Sequence, residues 1–377
     1  MRDAPYKIQM RARSGDQSDL YSFRSAEGVR NPENVLPEEV LMLQGADVER
    51  TSAVLSVDSR IGVTGSVLGN KARAGRTMMT ESNARASLLS ELNRRRNQVS
   101  SAEVMLTSEI QRDCIRKYDV ATYIPRKSDP ESLVKQKILE ASHTLREEGK
   151  LYLAGEKKFI ENFEDFLERF GDIGTRVKND SKLLEVEQPE KKRINRCIDE
   201  KKIEHSIKGE TCRFRTVKGF FDAEDLNMVE MLSREIEAEK NDRVLDLESG
   251  CGAAGIFTSK LYGSEIVLVD RNTYQTRYAR DNCQENEVEK FKAITEDGAE
   301  NLELNSFDKV IYRVAEDRNE QLVEEDLHNC RRILKEDGEL FICHRKDFPG
   351  EKKVRQFFED VKARRREVDY QVTVGKR

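Results

Sequence analysis

Nowhere in the 377 residues do two cysteines stand as a C-x-x-C pair. The seven cysteines, Cys114, Cys197, Cys212, Cys251, Cys283, Cys330 and Cys343, are scattered and odd in number. That pattern argues against a zinc site and against a disulfide framework, and for reduced thiols in a cytosol. Histidine is scarce as well: His143, His205, His328 and His344 are too dispersed for a catalytic or metal cluster. No apolar run approaches the roughly 20 residues of a membrane span. The opening MRDAPYKIQMRARSGDQ lacks the apolar core of a signal peptide. The expectation is a cytoplasmic protein with no membrane or metal partner. Positive charge is not in excess either. The net charge is −5, so any nucleic-acid contact must come from local basic patches such as the RRR of 94–96, the KKR of 191–193 and the RRR of 364–366.

What the chain does have is alternation. With 37% hydrophobic and 36% charged residues it reads as folded with a heavily charged surface. AVLSV, DVATYIP and KLYLAG read as strands, and ESNARASLLSELNRRRNQ, DPESLVKQKILEASHTLREEG and FIENFEDFLERFG as helices. The second half repeats the order, with strands RVLDL, EIVLV, KVIYRV and ELFICH. Its helices are AGIFTSKLYG, TYQTRYARDNCQEN, EQLVEEDLHNCRRILKEDG and KKVRQFFEDVKARRR. VDYQVTVGK alternates like an antiparallel closing strand. Strand-helix alternation predicts an α/β fold with mostly parallel, doubly wound sheets. The repeat has a measurable period. At an offset of 190, Val54-Leu55 falls on Val244-Leu245, Gly62 on Gly252 and Gly65 on Gly255. At 189, Glu81 falls on Asp270, Asn93 on Asn282, Asn97 on Asn286, Asp119 on Asp308, Tyr123 on Tyr312 and Gly149 on Gly338. The chain is therefore read as a tandem duplication. It has a polar arm over 1–35, a first copy over 36–175, a charged connector over 176–210 and a second copy over 211–377.

The chemistry concentrates in VLDLESGCGAAGIFTSKLYGSEIVLVDRN of the second copy. Asp246 and Asp270 end two successive strands around Gly250, Gly252 and Gly255. Glycine lets a backbone approach a ligand, and the following helix aims its first amides at the same space. Ligands of such sheets lie beyond the C-terminal strand ends. A G-x-G-x-x-G turn also serves dinucleotides, but those bring a pyrophosphate, which an acid at Asp246 would repel. An acid there suits a ligand with an ammonium and no phosphate. S-adenosyl-L-methionine has a methionyl ammonium, a sulfonium and a ribose diol for Asp270. Glu296 or Asp297, in TEDGAENL, is placed for the adenine amino group, and Glu248 and Arg271 border the same turn. In the first copy Ser56 replaces the first acid and Arg60 a turn glycine, so that copy is expected to bind no cofactor.

The second half resembles a class I S-adenosylmethionine-dependent methyltransferase. The tandem arrangement resembles the ribosomal RNA small-subunit methyltransferase C type and its large-subunit relatives. TYIPRKSDPESLVKQKI is similar to that family's Tyr-Trp-Pro-Lys strand end and helix, and FRTVKGFFDAEDLN to its Gly-Val-Phe-Ser segment. The resemblance implies two Rossmann-like domains, a degenerate first and a cofactor-binding second. It also implies RNA, with rRNA or a ribosomal subunit, as partner. Two departures stand out. Glu248 occupies the first glycine position of the turn, and YRVAED, Tyr312 to Asp317, stands where the family carries Asn-Pro-Pro-aromatic to hold an exocyclic amine. Arg313, Glu316 and Asp317 then become the candidate catalytic residues. Three readings follow: methyl transfer to RNA, a methyltransferase-like scaffold that binds RNA or protein without catalysis, and methylation of a non-amine target or a protein.

Overall fold

The structure, a computed structural model, describes residues 4–14, 17–110, 117–187, 196–315, 318–367 and 369–377. The chain divides into two units, Met1–Asp199 and Glu200–Arg377. The first begins with a hairpin, β1 Tyr6–Ser14 and β2 Gln17–Ser25, and continues through α1 Pro37–Gly45, β3 Ala53–Val57, α2 Val63–Lys71 and β4 Arg76–Glu81. Then come α3 Ala84–Arg96, β5 Ala102–Leu106, β6 Tyr118–Tyr123, α4 Glu131–Thr144 and β7 Leu145–Glu156. Two four-residue helices, α5 Lys157–Ile160 and α6 Glu164–Leu167, precede β8 Ile173–Lys178 and β9 Ser181–Glu187. The seven-stranded sheet has the order β5-β4-β3-β6-β7-β9-β8. All its pairs are parallel except β7 with β9 and β8 with β9.

The second unit repeats the plan with a hairpin, β10 Glu200–Ile207 and β11 Glu210–Val217, then α7 Ala223–Glu235, β12 Arg243–Leu247, α8 Ala253–Tyr262 and β13 Glu265–Asp270. It continues with α9 Thr273–Glu285, β14 Phe291–Thr295, β15 Phe307–Arg313, α10 Glu320–Ile333 and β16 Leu334–Arg345. It closes with α11 Gly350–Val354, β17 Glu359–Arg366 and β18 Tyr370–Lys376. Its sheet order, β14-β13-β12-β15-β16-β18-β17, matches the first position for position. Central strands such as AVLSV are buried throughout because helices cover both faces. In β3, Val54 faces the core shared with α1 and α2, while Leu55 and Val57 face the core shared with α4. The two tandem Rossmann-like sheets read from the sequence are thus present.

The repeated polar residues of the sequence turn out to hold the copies together internally. Asn93 on α3 takes a hydrogen bond from Arg24 N (2.6 Å) and donates to Arg24 O and Ile61 O (2.8 Å each). Asn282 on α9 does the same with Arg215 N (2.8 Å), Arg215 O (3.0 Å) and Cys251 O (2.9 Å). Asn97 and Asn286, one turn on, clamp Ser22 and Arg213 in the same way. Asp119 and Asp308 each accept from the first amide of the neighbouring strand, Ala53 N (2.7 Å) and Arg243 N (2.9 Å).

Four expectations change. Within the arm assigned to 1–35, residues 6–25 form a hairpin: β1 and β2 alternate, with Ile8, Tyr21 and Phe23 buried, and Asn93 and Asn97 pin β2 to α3. The connector assigned to 176–210 begins inside β8. β9 belongs to the first sheet and β10 to the second unit, because Leu183, Leu184 and Val186 are buried against β7. FIENFEDFLERFG breaks into α5, a 3-10 turn and α6. KKVRQFFEDVKARRR is helical only through Val354. Its charged second half is the edge strand β17, which carries a register shift at Asp360, a residue in the left-handed region (φ 46°). An edge strand tolerates such charge because one side meets no partner.

Replacing Asn282 by Ala would leave one backbone N–H and two carbonyls of a dry site unpaired. The expected cost is about 3 kcal/mol, concentrated at the hairpin. Amide hydrogen exchange should show β10–β11 opening in Asn282→Ala while β12–β13 stays protected.

Candidate active site

The turn after β12 is built around left-handed backbone. Glu248 (φ 56°), Gly250 (φ 57°) and Gly252 (φ 85°) lie in that region. At Gly252, which opens α8, a Cβ would also crowd Ala279 and Leu268 at 3.2 Å. The tight turn brings Gly255 N to 2.8 Å from Asp246 Oδ2. It also brings Gly250 N to 2.9 Å from Asp270 Oδ2, while Asn272 N donates to Asp270 Oδ1 at 2.8 Å. Both carboxylates are buried. Burial pushes Asp246 up to about 7. It also raises Asp270 to about 7, helped by the charge of Glu248. A dry carboxylate with one or two amide donors holds its proton more tightly than one in water, and a cation placed beside it would draw that proton off.

Around the turn lies an ion network. The Arg318 side chain, 1% exposed, spreads its three nitrogens over three acids: Nη2 to Glu248 at 2.7 Å, Nη1 to Asp297 at 3.2 Å and Nε to Asp326 at 3.4 Å. Arg271 Nε lies 3.5 Å from Glu248. Tyr312 donates its hydroxyl to Asp326 (2.6 Å), and burial raises Asp326 to about 6. Asp246, Glu248, Asp270, Asp297 and Asp326 therefore face two arginines, Arg271 and Arg318. This end of the sheet has unbalanced negative capacity.

Of the residues expected from sequence, Asp246, Glu248, Gly250, Gly252, Asp270, Arg271 and Asp297 come together here. Glu296 adjoins them, its N–H donating to Asp270 O at 3.0 Å, while its carboxylate takes a bond from Asn301. Glu316 and Asp317 lie outside the described residues. Arg313 ion-pairs with Asp225 on α7 and lies over the Phe221 ring, 5.9 Å from its centroid. Its Nη2 is 2.9 Å from where a Cβ on Gly250 would be, so the guanidinium lies across the turn. Tyr312 is buried in the core through its hydroxyl bond and is structural. Sequence reading missed Asp225, Arg318 and Asp326. Asp225 had a signal, since Asp222 and Asp225 form a capping box at the start of α7. The other two are visible only by laying one copy on the other.

The first copy answers the same geometry differently. Arg60, at Gly250's position and also left-handed (φ 63°), bonds both oxygens of Glu39 (3.1 and 2.9 Å) and the carbonyls of Arg30, Asn31 and Asn34. Glu39 is the third residue of α1, as Asp225 is of α7. An arginine thus reaches this acid in both copies, from the turn in one and from the strand end in the other. Glu81, at Asp270's position, accepts from the hydroxyls of Ser59 and Ser90 (2.9 Å each), and burial raises it to about 7. A pocket lined by Ser56, Asp58, Arg60, Tyr123 and Arg126 leaves only about 30 Å³, room for one or two waters. Among the described residues no cluster of His, Cys, Asp and Glu is placed to hold a metal, and no helix is long and apolar enough to cross a membrane.

Comparison with known proteins agrees with this geometry. Residues 211–374 match the family model of the methyltransferase small domain. Over 92 residues, 24% of the chain, it is 33% identical to the tRNA (uracil(54)-C(5))-methyltransferase of Pyrococcus horikoshii; the chain spans about a fifth (22%) of that protein's length. Among solved structures it superposes on the T. thermophilus 16S rRNA N2 G1207 methyltransferase in complex with AdoMet and guanosine. That match has a TM-score of 0.79 and 18% identity, and covers 98% of each chain. The chain therefore has the fold of a tandem class I methyltransferase, and its second unit is similar to the methyltransferase small domain over residues 211–374.

Proposed function

We propose that the chain is an S-adenosyl-L-methionine-dependent methyltransferase acting on RNA, with rRNA as the substrate class and the second unit as the catalytic one. The observation that carries this is the excess of buried acid around a glycine turn at the ligand end of β12 and β13. The donor set fits the cofactor. Asp246 and Glu248 would hold the methionyl end and its ammonium, Asp270 the ribose hydroxyls, and Asp297 the adenine amino group. When bound, the cofactor supplies an electrophilic methyl on a sulfonium. The chain's own residues supply orientation, since a methyl held in line with a nucleophile needs little acid–base help. RNA as acceptor is supported by the T. thermophilus and P. horikoshii proteins, both of which methylate RNA.

The acceptor side is where this chain departs. Arg313, Glu316 and Asp317 stand where Asn-Pro-Pro-aromatic would hold an amine. A guanidinium at 313 donates hydrogen bonds and accepts none, so it suits a carbonyl or phosphate oxygen better than an amine. That observation favours a second reading, a cofactor-binding scaffold without amine methylation. Transfer from labelled cofactor to rRNA and to assembled subunits separates the two. Robust transfer to a base amine that survives alanine at 313, 316 and 317 would show the active site to lie elsewhere.

One cofactor should bind per chain, because Arg60 fills the corresponding turn of the first copy. Asp270→Ala should weaken binding roughly 30- to 150-fold, as a charge-assisted pair of hydrogen bonds is worth about 2–3 kcal/mol. Calorimetric titration reads both the stoichiometry and the loss. Unchanged affinity in the variant would remove Asp270 from the site.

The raised carboxyls also set a pH dependence. Affinity for the cationic cofactor should tighten as pH rises through about 7, where Asp246 and Asp270 lose their protons. The ligand-free protein moves the other way. Both groups have folded values above the ordinary 3.8, so the stability they contribute is full below about 4 and is lost as pH rises to about 7. Melting temperature measured from pH 5 to 8 should fall less in Asp246→Asn than in wild type, and the rise of affinity with pH should flatten in the same variant.

A further inference from the structure

Position by position, the two copies place the same three sites together and wire them with opposite charges. Glu248 of the turn corresponds to Asp58, Arg318 of the segment after β15 to Asp129, and Asp326 of α10 to Lys137 of α4. The helices agree to the residue, since α4 spans Glu131–Thr144 and α10 spans Glu320–Ile333, 189 positions apart at both ends. In the first copy the cation that pairs with the turn acid is on the helix, and Arg126, in the segment after β6, adds a second positive charge near Asp58, Glu81 and Asp129. Lys137 pairs with Asp58, donates to Ser82 Oγ at 3.3 Å, and stands 4.0 Å from Asp129. In the second copy the cation has moved to the segment after the strand. Arg318 reaches Glu248, Asp297 and Asp326, and the helix carries an acid. The turn acid is retained in both.

The side on which the cation sits decides what is fastened to what. With Lys137, the cofactor-turn equivalent is tied to a packed helix, while the segment after β6 has cations of its own: Lys127 pairs with Glu156, and Arg126 lies in the field of Asp58, Glu81 and Asp129. With Arg318, the turn is tied directly to the segment after β15. Among its described residues, that segment is also held by Val314 N on Cys343 O (3.0 Å), by Arg318 N on Ala315 O (3.0 Å) and by Asn319, which caps α10 through Leu322 N (3.0 Å). A planar guanidinium can address three acids along three edges, which a lysine ammonium on its flexible stem cannot do in the same fixed geometry. The arrangement also gives Glu248 a reason to occupy a left-handed position that glycine would fill without strain: its carboxylate is the anchor.

We propose that Arg318 is a positioning residue. It couples the segment that faces the acceptor to the turn that faces the cofactor, so that the two halves of the second unit's site order as one piece. This rests on the methyltransferase reading of that site, but its test does not. Three variants of the full chain decide it: Arg318→Gln, Arg318→Lys, and the exchange Arg318→Asp with Asp326→Lys, which installs the first copy's charges at these two positions. Melting temperature reads charge balance. Amide hydrogen exchange of the peptide over 314–322 reads the fastening, and calorimetry with S-adenosyl-L-methionine reads its consequence.

The expected result is that Arg318→Gln and Arg318→Lys each raise exchange in that peptide about tenfold or more and weaken cofactor binding by a similar factor. The exchanged pair should recover most of the lost melting temperature without recovering the protection. Recovery of both by the exchanged pair would overturn the proposal, since charge balance alone would then suffice. So would unchanged protection in Arg318→Gln. Should that variant not fold, Arg318→Lys, which keeps the charge, decides by the same exchange measurement. If the wild type binds no cofactor, the methyltransferase reading fails, while the exchange data still judge the fastening.

Discussion

A carboxylate buried at the end of a strand must be answered by a proton, an amide or a cation. Much of the ligand end of each unit follows from that requirement. In the second unit Asp246 and Asp270 are answered by amides of the glycine turn, which fixes the turn against β12 and β13. Glu248, Asp297 and Asp326 are answered by one arginine. The supply of cations stops short of the supply of acids, so the site stays receptive to positive charge. In the first unit the same geometry is answered mostly from within: serine replaces the first acid, two hydroxyls serve one oxygen of Glu81, and Arg60 saturates its donors on Glu39 and three carbonyls. One copy has sealed itself, and the other has kept a deficit.

Arg313 belongs to the same logic. Its charge is offset by Asp225 and the Phe221 face, and burial lowers its pKa, the direction expected of a cation taken out of water. Gly250 matters here less for its own backbone freedom than for the space it leaves, which the guanidinium uses. The acid at the third position of the first helix has kept an arginine partner in both copies, although the arginine comes from a different element each time. A contact of this kind is preserved as a geometry, and the position supplying it is free to change.

How far the sequence could be read follows from which forces write periodic patterns. Strand order, the tandem copies and the acid-glycine-acid turn were legible because apolar runs, glycines and strand-end acids recur at fixed spacing. Asp246 and Asp270 stand where the pattern put them. Arg318 and Asp326 were not legible, because their partners lie at unequal separations of 8 to 70 positions and their counterparts in the first copy carry the opposite sign. Charged residues therefore looked like a solvated surface. KKVRQFFEDVKARRR misled for a related reason: basic residues on an edge strand alternate with weakly buried ones, and the run of charge masks the period of two. The hairpins at 6–25 and 200–217 were missed because charged and polar residues fill most of their outward positions and mask the alternation.

That last point has a consequence for how such a chain can change. Asn93, Asn97, Asn282 and Asn286 grip the hairpins only through peptide N–H and C=O groups. A main-chain grip is indifferent to the residue that offers it. The gripped strands YKIQMRARS/QSDLYSFRS and EKKIEHSI/ETCRFRTV share little beyond a buried Phe-Arg step, Phe23-Arg24 and Phe214-Arg215. Four asparagines thus free some 35 residues to drift and to acquire new surface chemistry independently in each copy, while the fold they cover stays in register.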